Sequence, residues 1–147
     1  MASVVCVCLS EQKGTVKHPV DEALLIAGHG VAGDAHAGDW HRQVSLLAGE
    51  SVERMRVQCG AVELPNGIFA ENIRTMGIDL KGLPIGARLR VGRCMLEITQ
   101  IGKECHSDCE IKRLVGKCVM PSEGVFATVL KGGTVRAGDE IARLNGE

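Results

Sequence analysis

Ala87-Arg88-Leu89-Arg90-Val91-Gly92-Arg93-Cys94-Met95-Leu96-Glu97-Ile98-Thr99 is the stretch that decides the fold class. Ala87 to Val91 and Met95 to Thr99 read as strands. The Gly92-Arg93-Cys94 link between them is a short glycine-containing loop, so the stretch predicts a β-hairpin. Leu83-Pro84-Ile85-Gly86 just before it is a turn. Further out the same grammar recurs. Met1 to Leu9, with Val4, Val5, Val7 and Leu9, predicts a buried strand. So do Gln43 to Leu47, Ile68 to Arg74, Gly124 to Leu130 and Glu140 to Leu144. Lys131-Gly132-Gly133 and Ala137-Gly138-Asp139 mark turns. Glu50 to Val57 predicts a short helix, with Val52 and Met55 on one face and Gly60 beyond its end. Ala27 to Asp39 reads as a loop. Thr15 to Leu25 is less defined, with a break at Lys17-His18-Pro19. Short strands at close spacing with turns between them predict a mainly β, closed or sandwiched architecture. No linker or repeat interrupts residues 1–147, which read as one domain.

Composition narrows the function classes. Lys and Arg total 17 against 18 for Asp and Glu, a formal net charge of −1, and aromatic residues are 2% of the chain. A nucleic-acid binder needs a cationic surplus or stacking platforms, so neither kind of nucleic-acid partner is expected. No apolar run reaches the roughly 20 residues of a membrane-spanning helix. The first residues lack a basic stretch followed by a small-residue cleavage site. The expectation is therefore a cytoplasmic protein with no membrane partner, its seven cysteines held as thiols.

The cysteines concentrate in Gly102-Lys103-Glu104-Cys105-His106-Ser107-Asp108-Cys109-Glu110-Ile111-Lys112-Arg113-Leu114-Val115-Gly116-Lys117-Cys118. Ser107 and Glu110 have capping-box spacing, and Ile111, Leu114 and Val115 follow at helical spacing before Gly116. Cys105 then precedes a helix start. The unpaired N–H groups there lower a thiol pKa from about 8.5 toward neutrality and so favour the nucleophilic thiolate. Lys103 and His106 add positive charge and Glu104 opposes it. The same four ligand types, Cys105, His106, Cys109 and Cys118, also suit a Cys3His zinc site, although paired Cys-x-x-Cys knuckles are lacking. A disulfide from Cys105 to Cys109 or Cys118 is a third option. Cys6, Cys8, Cys59 and Cys94 read as structural.

A second concentration is Gly33-Asp34-Ala35-His36-Ala37-Gly38-Asp39-Trp40-His41-Arg42-Gln43. Glycines expose backbone N–H groups, and an arginine fork suits phosphate or a metal oxo group. It is not a Walker A loop. Gly28-His29-Gly30-Val31-Ala32-Gly33 matches the dinucleotide fingerprint but lacks its strand-helix-strand setting. His36 and His41 with Asp34 or Asp39 could hold a metal; solvated imidazoles are the plainer reading.

These blocks, with Phe69-Ala70-Glu71-Asn72-Ile73, Leu83-Pro84-Ile85-Gly86, Leu96-Glu97-Ile98-Thr99-Gln100, Glu123-Gly124-Val125-Phe126-Ala127 and Gly138-Asp139, occur in an order that resembles a stand-alone MOSC domain. That module is similar to the C-terminal part of eukaryotic molybdenum cofactor sulfurases and to the core of the mitochondrial amidoxime reducing component. The resemblance implies a MOSC-type β-barrel with a few short helices. It implies a molybdenum or tungsten cofactor (molybdopterin type) and a sulfur-carrying or metal-ligating cysteine, by position Cys105. His36, Arg42, Asn72 and Arg74 match polar positions that would line the cofactor side, with Lys103 beside the cysteine. The pyridoxal-phosphate desulfurase domain of the sulfurases is missing, so a separate cysteine desulfurase would supply sulfur. Molybdopterin biosynthesis proteins or a molybdoenzyme acceptor are the other partners implied. The resemblance thus implies a sulfurtransferase. The rivals are a non-catalytic cofactor carrier and a structural zinc domain.

Overall fold

The structure, a computed structural model, describes residues 2–13, 15–60, 64–102 and 123–144. In chain order these form β1 (Ala2–Leu9), β2 (His18–Val20), β3 (Glu22–Ile26), β4 (Gly30–Val31) and β5 (Val44–Ala48). Then come α1 (Gly49–Cys59), β6 (Ile73–Met76), a 3-10 turn (Leu80–Gly82), β7 (Arg88–Val91), β8 (Cys94–Ile101), β9 (Val125–Lys131), β10 (Gly133–Arg136) and β11 (Glu140–Leu144). The strands run β11-β7-β8-β9-β5-β6-β1, and β11 returns to β1. Seven strands therefore close into a barrel, as expected. The closing seam pairs Ala2 with Ile141 and Ser3 with Glu140. It is extended by the Val4 N–H donating to the Asp139 carbonyl and the Gly138 N–H to the Val4 carbonyl, both at 2.8 Å. Closure leaves no open edge along this seam. A second, small sheet of β10, β3 and β4 flanks the barrel.

The predicted hairpin is β7–β8, with Val91 opposite Cys94. Leu89, Val91, Cys94, Leu96 and Ile98 are buried, while Arg88 and Arg90 face solvent. This is the period-two alternation of a half-buried sheet. β5 departs from alternation because both of its faces are covered. Val44 and Leu46 join the barrel interior with Ile73, Val125 and Ala127. Leu47 points the other way, into a second cluster with Val52, Met55, Phe69 and Phe126. That second cluster is how α1 seats on the outer wall. The helix ends where the sequence places its stop, with Gly60 in the left-handed conformation at φ 71° and ψ 17°.

One expected strand starts late. Residues 68 to 74 read as a strand, but the ladder begins only at Ile73. The reason is the buried carboxylate of Glu71. It accepts the N–H groups of Gly67 at 3.2 Å and Phe69 at 3.1 Å, and pairs with the Arg74 guanidinium at 2.6 Å. Backbone donors that a strand would offer to a neighbour are turned inward to a side chain. The segment 15–25, less defined in sequence, holds β2 and β3, and a two-residue strand interrupts the 27–39 loop.

Gly67 sits at φ +87°, and a Cβ there would collide with the Lys17 carbonyl and lie 3.3 Å from the Cys8 sulfur. Gly67→Ala is expected to lower unfolding free energy by about 1–3 kcal/mol or more in urea denaturation, combining left-handed strain with the collision. A silent substitution would show that this contact does not constrain the fold.

Candidate functional site

Outside the barrel, the loop between β4 and β5 is organised around Asp34. Its carboxylate and the Lys17 ammonium are 2.7 Å apart, and neither side chain is exposed at all. Each oxygen also accepts a backbone donor. Oδ1 accepts the Ser10 N–H at 3.0 Å and Oδ2 accepts the His36 N–H at 3.1 Å. The Lys17 Nζ further reaches Ser10 Oγ at 3.3 Å and His36 Nδ1 at 3.0 Å. Burial pushes the Asp34 carboxyl up, but the contacts with His36 and Lys17 and the Ser10 N–H outweigh it and hold the group well below the usual carboxylate range. Lys17, in the poorly defined segment, went unnoticed in the sequence. A lysine beside a proline-containing break carries no mark that it will be buried.

His36 passes this order outward. Its carbonyl accepts the Trp40 indole N–H at 2.7 Å. The Arg42 guanidinium carbon lies 4.6 Å from the centre of the Trp40 ring and 5.7 Å from that of Phe126, and the Lys13 ammonium lies 5.3 Å from the Trp40 ring centre. Cation–π contacts thus hold the arginine against the two rings. Its Nε is buried and has no hydrogen-bond partner among the described residues. Such an unmet donor is costly unless an acceptor arrives. Trp40 is the other residue of this cluster that the sequence does not single out.

His41 fastens the loop to β8. Its Nε2 is 2.7 Å from Gln100 Oε1, and its carbonyl accepts the Thr99 hydroxyl. Gln100 in turn donates to the Gly102 carbonyl at 2.7 Å. The Gly102 N–H donates to the Gly124 carbonyl at 2.6 Å. The described chain on either side of residues 103–122 is thus joined by the Gly102–Gly124 hydrogen bond. Glu123, on the returning side, accepts from Ser51 Oγ at 2.7 Å, Arg54 at 3.1 Å and Lys81 at 2.8 Å. Lys81 above all, with Ser51 and Arg54 and against a burial penalty, holds the Glu123 carboxyl below its ordinary value.

The predicted residues distribute as follows. His36 and Arg42 meet through Trp40. Asn72 and Arg74 lie in the wall, with their polar groups engaged there. Asn72 Oδ1 accepts the Ser45 N–H at 2.9 Å and its Nδ2 donates to the Cys8 carbonyl at 3.1 Å, tying β5 to β1. Arg74 donates to Glu71, to the Leu64 carbonyl at 3.3 Å and to the Pro65 carbonyl at 2.9 Å. Lys103, Cys105, His106, Cys109 and Cys118 lie outside the described residues. Cys6, Cys8 and Cys94 are buried free thiols, the first two with sulfurs 3.7 Å apart. No cluster of three or more His, Cys, Asp or Glu side chains suited to a metal occurs among the described residues.

The fold has counterparts among solved structures. The YuaD protein of Bacillus subtilis superposes with a TM-score of 0.77 at 18% identity, covering 96% of this chain and 94% of that one. YiiM of Geobacillus stearothermophilus gives 0.76 at 16% identity over 99% and 76% of the two chains, and YiiM of Escherichia coli 0.70 at 17% over 99% and 71%. At these identities the likeness is one of fold. No curated protein matches by sequence. The MOSC domain family, however, matches residues 33–142. The chain belongs to the MOSC domain family. This MOSC domain therefore shares the family's general association with the molybdenum cofactor. The family match starts at Gly33, one residue before Asp34, and takes in His36, Arg42 and the whole cysteine-bearing segment. No helix among the described residues of this MOSC chain is long and apolar enough to cross a membrane.

The Asp34 pair has a measurable signature. A carboxyl held below its unfolded value contributes stability that is present above the ordinary carboxylate range, near pH 4, and is lost as pH falls through the lower folded value. Asp34→Asn leaves Lys17 buried without its counter-charge and is expected to cost about 3–5 kcal/mol at neutral pH. In denaturant titrations below pH 4 the wild type should lose stability more steeply than the variant. Parallel pH profiles would mean that the pair is not formed.

Proposed function

We propose that His36, Trp40 and Arg42 form an anion groove that holds the anionic part of a molybdenum- or tungsten-type pterin cofactor, and that Cys105 carries sulfur to it. The carrying observation is the Arg42 guanidinium, held against two rings, with a buried Nε that has no acceptor among the described residues. A phosphate oxygen would satisfy it, and the nearby Lys13 ammonium adds a second cation. These groups fit an anion, and the cofactor, when bound, would supply the metal that receives sulfur. Cys105 follows Gly102 by three residues, and Gly102 is bonded to the same Gln100 that holds His41. This connectivity supports a cysteine working beside the groove.

In the sulfur step the Cys105 thiolate attacks the terminal sulfur of a donor persulfide. The donor S–S bond breaks, the donor leaves as a thiolate, and Cys105 keeps the sulfane sulfur. The donor is a separate cysteine desulfurase, and a molybdopterin biosynthesis protein or a molybdoenzyme is the acceptor, in the cytoplasm. Incubation with a desulfurase and cysteine should add the mass of one sulfur atom to the wild type and none to Cys105→Ala. Equal loading of both would end the sulfur role. Arg42→Ala should weaken cofactor binding about tenfold to a hundredfold, the worth of one charge-assisted hydrogen bond of about 1.5–3 kcal/mol. Binding that survives in Cys105→Ser without sulfur loading of the wild type identifies the carrier instead. Stoichiometric zinc in protein purified without added metal would favour the zinc reading of Cys105, His106, Cys109 and Cys118.

A further inference from the structure

We infer that Lys17 fixes the tautomer of His36 and so makes this histidine a hydrogen-bond donor to a bound oxyanion, with Lys17 as its positioning residue. The inference rests on the proposed anion groove for its ligand but on the buried cluster for its geometry.

His36 Nδ1 has two neighbours of opposite character. The Lys17 Nζ is 3.0 Å away, and the nearer Asp34 oxygen, Oδ2, is 3.8 Å away. The first is a hydrogen-bond distance and the second is not. An ammonium has three donors and no acceptor. The Lys17–His36 bond therefore exists only if Nδ1 offers its lone pair, and the neutral ring carries its proton on Nε2. A proton on Nδ1 would set N–H against N–H. Lys17 cannot turn away to relieve that. Its side chain has no exposed surface, Asp34 and Ser10 hold the ammonium, and its own N–H donates to the Gly67 carbonyl at 2.9 Å. The backbone that carries the ring is fixed as well. The His36 N–H is bound to Asp34 and its carbonyl to Trp40.

The ring is 26% exposed, and no described residue bonds Nε2. That nitrogen presents an N–H. A metal-ligating histidine has the reverse polarity. It gives one lone pair to the metal and donates its other N–H to a carboxylate or carbonyl. Here the other nitrogen accepts from a cation. The arrangement suits a phosphate or molybdate-type oxygen and opposes a metal ion at Nε2. Asp34 serves Lys17 and not the ligand. Because Trp40 hangs from the His36 carbonyl, the same lysine also aligns the platform that holds Arg42.

Long-range nitrogen–proton NMR on the ligand-free full chain reads the tautomer directly, with His36→Gln used to assign the signals. The expected pattern is a protonated Nε2 and a lone-pair Nδ1. A protonated Nδ1, or an even mixture, overturns the lock whatever the groove binds. In Lys17→Met/Asp34→Asn, where neither charge is left buried alone, the ring should become a mixture; an unchanged pattern in that folded variant shows that Lys17 does not position it. Molybdate and inorganic phosphate should shift the His36 Nε2–H signal, and zinc ion should not. A correct tautomer untouched by either oxyanion overturns the donor role together with the anion reading of the groove. Zinc moving Nε2 to a metal-bound position overturns the donor assignment alone.

Discussion

The ion pair of Lys17 and Asp34 is the constraint from which the outer loop takes its shape. Two charges removed from water gain little net stability when they pair, but each makes the absence of the other expensive. The pair therefore acts as a specification. It joins three segments that the sequence keeps apart: the exit of β1 at Ser10, the approach to β2 at Lys17, and the loop at Asp34. A loop displaced at any of these points would leave a charge buried alone. The His36 ring and the Trp40 platform are hung from this cluster, and Arg42 rests on the platform.

A second buried pair, Glu71 with Arg74, does the same for the strand-like segment that never joins the ladder. The two pairs are not independent. The peptide groups around Gly67 serve both, since its N–H goes to Glu71 and its carbonyl accepts the Lys17 N–H. That explains why a glycine stands there. The backbones approach so closely that no side chain fits between them. Polar networks outside the barrel and an apolar interior inside it divide the labour, the interior giving stability and the networks giving shape to the loops.

Local pattern made much of the barrel legible. The β7–β8 hairpin, β1, β5, β9, β11 and α1 all stand close to where strand runs, turn residues and the Gly60 stop place them. Closure was foreseeable as a class, but the partner that seals β1 was not, because register between strands at opposite ends of the chain leaves no mark in a local window. The late start of β6 was hidden for a chemical reason. Glu71 reads as a polar strand residue and is in fact a sink for backbone donors. In the site, Asp34, His36 and Arg42 were marked by their density in one glycine-rich stretch. Lys17 and Trp40 were not, since burial of a lysine and stacking on an indole are decided by tertiary neighbours. Asn72 and Arg74 came to notice through resemblance, and their bonds lie within the wall.

The hydrogen bond between Gly102 and Gly124 holds the end of β8 against the approach to β9. The entropic expense of bringing two points of a chain together rises only slowly with the length between them, each doubling adding about 0.6 kcal/mol. The register of β8 on β9 is thus set by the paired strands themselves and hardly at all by how many residues separate them.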